Sequence, residues 1–147
     1  MRVLVSLTLA VGLFFTPATA LAAPLEWDQE KVTRLANDLS ESLGDVYVQA
    51  RAVDPPLVGK TRESFFRALD DLRVLKNSVR HLARRLQAGA GYDETLPIYR
   101  RVQLMRRRVA SEGRRTAGAL PADLLEKVEE AGARLDTLSA YYEDPEG

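Results

Sequence analysis

Apolar residues recur every three or four positions along four segments of this chain. A spacing close to 3.5 residues gives each helix one apolar stripe and favours nearly antiparallel packing with a left-handed twist. No segment alternates with period two over the length of a strand, and short connections join the segments. The sequence therefore predicts an all-α fold, an antiparallel up-down-up-down four-helix bundle with coiled-coil-like heptads. The helices are expected at about 26–53, 61–88, 96–112 and 121–143.

Clusters of proline and glycine separate these four segments. The first cluster surrounds Pro55, the second contains Gly89 and Gly91, and the third runs from Gly113 to Pro121. Proline and glycine interrupt regular structure, because proline lacks the amide hydrogen and glycine adopts conformations that close a helix. Each cluster is therefore expected to form a turn between two helices.

The first 22 residues are typical of a secretory signal peptide. Arg2 supplies a positive charge, an apolar stretch follows from Val3 to Phe15, and small residues lead to a cleavage site near Ala22. This apolar stretch of about 13 residues is shorter than the roughly 20 that a membrane span needs, so no transmembrane anchor is expected. We expect export to the periplasm or outside the cell, with residues 23–147 forming a single bundle domain.

The chain contains no cysteine and one histidine, which excludes several kinds of site. Without cysteine there is no disulfide, thiol nucleophile, cysteine-bound zinc or iron–sulfur cluster. His81 lies one position off the apolar stripe of its segment and Met105 lies on one, so haem ligation by this pair is not expected. No phosphate loop or recognisable catalytic constellation is present. We therefore expect no cofactor, no metal and no enzymatic activity.

Charge is unevenly divided along the chain, although the whole sequence, including Arg2, is formally neutral. Residues 24–59 carry a net charge of −4, residues 60–115 carry +9, and residues 116–147 carry −6. Neighbouring second and third helices would make one side of the bundle positive. Arginine dominates this side, and its guanidinium forms planar two-pronged contacts with carboxylates and phosphates. The candidate binding residues are Arg84, Arg85, Arg100, Arg101, Arg106, Arg107 and Arg108.

Two interpretations of these arginines stay open. They could be a solvated outer face whose ion pairs contribute about 0–1 kcal/mol each, or a docking surface for an acidic envelope protein or an anionic lipid surface. Nucleic acid is not expected as a partner of an exported protein. The leading hypothesis is a non-catalytic, macromolecule-binding module of the cell envelope. The oligomeric state is left open by the pattern.

Aromatic residues gather at one end of the predicted bundle. The up-down order brings Trp27, Tyr99 and Tyr142 to this end, together with Tyr92 and Tyr141. Tyrosine and tryptophan suit partly wet interfaces, and nearby arginines allow cation–π contacts. These residues either close the end of the bundle by packing or form the site of a small-ligand carrier or sensor, which is the alternative function.

Overall fold

The computed structural model describes residues 24–55, 59–116, 118 and 120–143. Within these ranges the chain forms four α-helices and no strand, which confirms the predicted all-helical, four-helix character. The helices are α1 (Gln29–Ala52), α2 (Lys60–Gln87), α3 (Tyr92–Gly113) and α4 (Ala122–Tyr142). The expected signal peptide and its cleavage site near Ala22 lie outside the described residues.

Most residues of the apolar stripes that the spacing predicted are buried in the core. Each helix buries residues three or four positions apart, and burying a leucine or valine side chain stabilises a fold by about 1.5–3 kcal/mol. These contributions hold the four helices together without any disulfide. The largest fully buried side chains include Leu39 and Leu43 of α1, Leu75, Leu82 and Leu86 of α2, Val102 of α3, and Leu124, Leu135 and Leu138 of α4.

Local hydrogen bonds fix where α1 begins and α2 ends. The Asp28 carboxylate accepts a 3.0 Å bond from the Lys31 amide, which satisfies a free donor of the first turn and lowers the pKa of Asp28. At the end of α2, Gly89 has φ +88°, a conformation that glycine adopts without steric cost. The Ala90 amide then bonds the Arg85 carbonyl at 3.0 Å, closing the helix by a Schellman motif.

Helix α3 begins at Tyr92, four residues before the expected start at 96. The Thr95 hydroxyl donates a 2.7 Å bond to the Gly91 carbonyl and strengthens this first turn. Pro97 lies inside the helix. The predicted start was too late, because the first turn of the helix lies before this proline.

The helices pack unequally around the core. Helix α1 packs closely on α2 and α4, and α2 packs on α3, whereas the backbones of α3 and α4 make fewer close contacts than these three pairs. The Leu25 amide donates to the Ala140 carbonyl at 2.8 Å, and the Gln29 side chain donates to the Ala90 carbonyl at 3.0 Å. These bonds bring the start of α1 to the ends of α2 and α4.

Candidate functional site

Trp27, Tyr92, Tyr99 and Tyr142 meet at one end of the bundle, here called the aromatic pole. The rings of Tyr99 and Tyr142 stack with centroids 4.1 Å apart and planes 6° from parallel. Trp27 meets Tyr142 and Tyr92 edge to face at 5.2 and 5.5 Å. Such aromatic pairs add about 0.5–1.5 kcal/mol each beyond their burial. The structure thus brings together the three aromatic residues that the sequence singled out as candidates.

The hydroxyl groups of the aromatic pole point to partners within the protein. The Tyr142 hydroxyl lies 2.7 Å from the Thr95 hydroxyl, and the Tyr99 hydroxyl accepts a 2.6 Å bond from the Gln103 side chain. Tyr142 is only 4% exposed and Tyr99 is 8% exposed. With their rings stacked and their hydroxyls paired, these tyrosines close the bundle and leave little surface for a ligand.

Burial of Tyr142 makes the fold sensitive to alkaline pH. Desolvation raises the pKa of Tyr142 from its ordinary value of 10.0 to about 12. Between these values the unfolded chain releases a proton that the folded chain keeps, so the free energy of unfolding falls as pH rises. The expected loss by pH 12 is on the order of 2 kcal/mol. Urea denaturation of the wild type and Tyr142→Phe should show the wild type losing its advantage over this pH range, whereas a constant difference would contradict the assignment.

Arg106 joins α3 to α4 and is not part of an open surface. It is 9% exposed, and its guanidinium lies 2.7 Å from the Asp136 carboxylate. One turn away, the Gln103 side chain donates a 2.7 Å bond to the Ser139 hydroxyl. These long polar side chains span the gap between the two helices. Arg106 therefore has a structural contact that its place among three consecutive arginines did not reveal.

Two other candidate arginines form ion pairs but remain partly exposed. Arg108 lies 3.0 Å from Asp71, a carboxylate in α2 whose pKa is raised chiefly by its burial. Arg85 lies 3.2 Å from Glu94 across the turn between α2 and α3. Both pairs connect α2 to α3. They support the interpretation that part of the positive charge serves the packing of the bundle.

Five exposed arginines on α2 and α3 form the arginine face. In the described part of the chain none of them forms a salt bridge, unlike Arg85, Arg106 and Arg108. Unpaired guanidinium groups retain their full capacity for two-pronged contacts with carboxylates. The members of the arginine face are Arg80 and Arg84 of α2 and Arg100, Arg101 and Arg107 of α3.

A surface groove of about 540 Å³ lies between α2 and α3, and Arg101 of the arginine face lines it. Its walls include the partly buried side chains Val74 and Ile98, the ring of Pro97, and the charged or polar side chains Arg101 and His81. Exposed His81 therefore lies in this groove and not on the core. An apolar floor beside cationic groups suits a ligand that carries both apolar and acidic groups.

Leu104 adds an exposed apolar residue to the same side of α3. It is 50% exposed, and Arg100, Arg101, Arg107 and Arg108 lie three or four positions from it, the spacing of neighbours on a helix surface. Neither the exposure of Leu104 nor the groove was predicted from the sequence. The available indication was that Leu104 precedes Met105 and so falls off the apolar stripe of α3.

The cation–π contacts lie away from the aromatic pole. Lys76 places its ammonium 4.6 Å from the ring centroid of Tyr47, and the Arg62 guanidinium lies 5.6 Å from the ring of Phe66. Tyr47 belongs to α1 and Phe66 to the first turns of α2. Basic side chains therefore pack on aromatic rings in this fold, but at other places than the predicted end.

Comparison of the chain with protein-family models, curated proteins and solved structures gave no significant match. Among the described residues, no cluster of three or more histidine, aspartate or glutamate side chains is placed to hold a metal ion. Nor does any helix in those residues have the length and apolar character that crossing a bilayer requires.

Proposed function

We propose that this protein is a non-catalytic module of the cell envelope whose arginine face binds an acidic, amphipathic segment of a partner protein. The observation that carries this proposal is that exposed Arg101 lines a groove with partly buried apolar residues in its walls. Among the described residues, neither Arg101 nor the other four members of the arginine face forms a salt bridge. Carboxylates of the partner would pair with guanidinium groups, and its apolar side chains would enter the groove. This is the helix-in-groove mode of recognition.

The shape of the surface favours a protein segment over a lipid headgroup layer. Val74 and Ile98 are recessed between the two helices, where a partner side chain can reach them but a flat bilayer surface cannot. Leu104 is the one large apolar side chain of α3 that is well exposed, which is little for insertion into lipid. An anionic lipid surface is therefore the competing outcome of the test below.

The proposal includes two further inferences about the chain. Export, with removal of residues 1–22, is supported by the composition of that segment and would place the partner in the periplasm or outside the cell. The up-down-up-down order of the helices is supported by the meeting of Trp27 with Tyr92 and Tyr142 at one end. In that order, the positively charged helices α2 and α3 form one side of the bundle and the negatively charged helices α1 and α4 form the other.

Reversing three charges of the arginine face tests the proposed binding. The probe is a synthetic helical peptide with leucine along one stripe and glutamate on both flanks, measured by fluorescence anisotropy. The triple variant Arg100→Glu, Arg101→Glu, Arg107→Glu is expected to bind at least tenfold more weakly, because each attraction becomes a repulsion. Raising the ionic strength from about 0.1 M to 1 M, which shortens the Debye length from about 10 Å to 3 Å, should also weaken wild-type binding.

A control variant shows whether peptide binding depends on the arginine face or only on the net charge of the protein. Lys31→Glu, Arg34→Glu and Arg51→Glu change the charge equally but lie on exposed positions of α1. This control is expected to keep most of the affinity. Equal losses in both variants would overturn the proposal, as would binding to phosphatidylglycerol vesicles without binding to the glutamate peptide.

A further inference from the structure

A second site lies at the end of the bundle away from the aromatic pole. Apolar side chains of all four helices surround a cavity of about 90 Å³ there. Its walls are almost entirely carbon, and the Thr116 hydroxyl beside it donates to the Gly113 carbonyl at 3.2 Å. Apolar cavities accept apolar molecules. The walls include Leu43 and Val46 of α1, Phe65 and Leu72 of α2, Val109 of α3, and Leu124 of α4.

The cavity exists because the side chains that α3 directs towards α4 are long in one half of the helix and short in the other. In the half of α3 near the aromatic pole, the long side chains Tyr99, Gln103 and Arg106 span the gap to α4. In the other half, Val109 and Gly113 line the cavity, and neither reaches as far. The helices are held apart by the long side chains, so the short ones leave space unfilled.

The cavity also extends towards the protein surface. Leu69 of α2 and Leu125 and Val128 of α4 line it and are partly exposed. A ligand could therefore enter between helices without unfolding of the core. The volume is below the roughly 150 Å³ of an engineered cavity that binds benzene. This size favours the narrow end of a straight alkyl chain over an aromatic ring.

We propose that this cavity binds the end of an unbranched alkyl chain. The site is separate from the arginine face, so its existence does not depend on the proposed function. Each methylene group that enters an apolar site strengthens binding about fourfold. Affinity is therefore expected to rise with chain length over a few carbon atoms and then to level off once the cavity is filled.

A titration of the purified protein with 1-propanol, 1-butanol, 1-pentanol and 1-hexanol tests this proposal. Shifts of the methyl NMR signals of Leu43, Val46 and Leu124 report occupancy, and Leu82 outside the cavity serves as the internal reference. A second titration uses dihexanoyl phosphatidylcholine below its micelle concentration. Binding of the alcohols alone assigns the site to free small molecules. Binding of the alcohols and of dihexanoyl phosphatidylcholine assigns it to a lipid tail. Absence of saturable shifts with every probe would overturn the proposal.

Filling the cavity should remove binding without unfolding the protein. Ala131→Leu adds a side chain at a buried wall position, and Val128→Phe fills the space from a partly exposed one. Both are expected to lose alcohol binding while keeping the wild-type melting temperature or exceeding it. The control Ala140→Leu overpacks a buried position of α4 that does not line the cavity, and it should lower the melting temperature but keep binding. Retained binding in both folded cavity variants would contradict the assignment.

Discussion

Tyr142→Ala is expected to lower the free energy of unfolding by about 3–5 kcal/mol, the usual cost of deleting a buried aromatic side chain. The Tyr142 ring stacks on Tyr99 and meets Trp27 edge to face, and its hydroxyl pairs with Thr95. All of these contacts are lost together in the alanine variant. The loss should appear in urea denaturation as a lower midpoint with an unchanged slope.

Two comparisons make the Tyr142 result informative. Tyr142→Phe removes only the hydroxyl and should cost about 0.5–1.5 kcal/mol. Tyr142→Ala measured at a temperature where it stays folded should keep its affinity for the glutamate peptide. A loss of peptide binding with stability unchanged would instead place the peptide-binding site at the aromatic pole.

Leu75→Ala is expected to lower stability and Leu104→Ala to weaken peptide binding, although the two substitutions delete identical groups. Leu75 is fully buried in the core, and its truncation should cost about 2–5 kcal/mol. Leu104 is half exposed, so its truncation should change stability by no more than about 0.5 kcal/mol. Because Leu104 lies among the arginines of α3, we expect its loss to weaken peptide binding instead.

Thermal and urea denaturation measure the first effect, and anisotropy with the glutamate peptide measures the second. The two leucines serve as controls for each other, since both substitutions delete the same atoms from a helix. A Leu104→Ala protein that is strongly destabilised would mean that this side chain is covered in the folded protein. The proposed docking surface would then lose its exposed apolar residue.

The helices and most of the core could be predicted from the sequence because burial sets the spacing of apolar residues. Val32, Leu39 and Val46 fall on the predicted stripe of α1 and are all buried. The start of α3 was predicted too late. Its first turn contains Thr95, a polar residue whose complete burial depends on hydrogen bonds to Gly91 and Tyr142. Spacing rules that count apolar residues cannot detect such a position.

The roles of the candidate arginines were the part that the sequence could not resolve. Consecutive residues of a helix point in directions about 100° apart. Arg106 accordingly contacts Asp136 of α4, Arg108 contacts Asp71 of α2, and Arg107 is exposed. The weak apolar stripe of α3 did not fix the rotation of this helix. One indication was available, because Arg106 continues the series of Tyr99 and Val102 at helical spacing.

The most direct test of the account is to map where the glutamate peptide contacts the protein. Amide NMR signals of the purified protein would be followed during a titration with the peptide at low ionic strength. We expect the largest shifts to cluster in residues 74–84 of α2 and 97–107 of α3, on both sides of the groove. Largest shifts in α1 and α4, or small shifts spread evenly over all four helices, would contradict it.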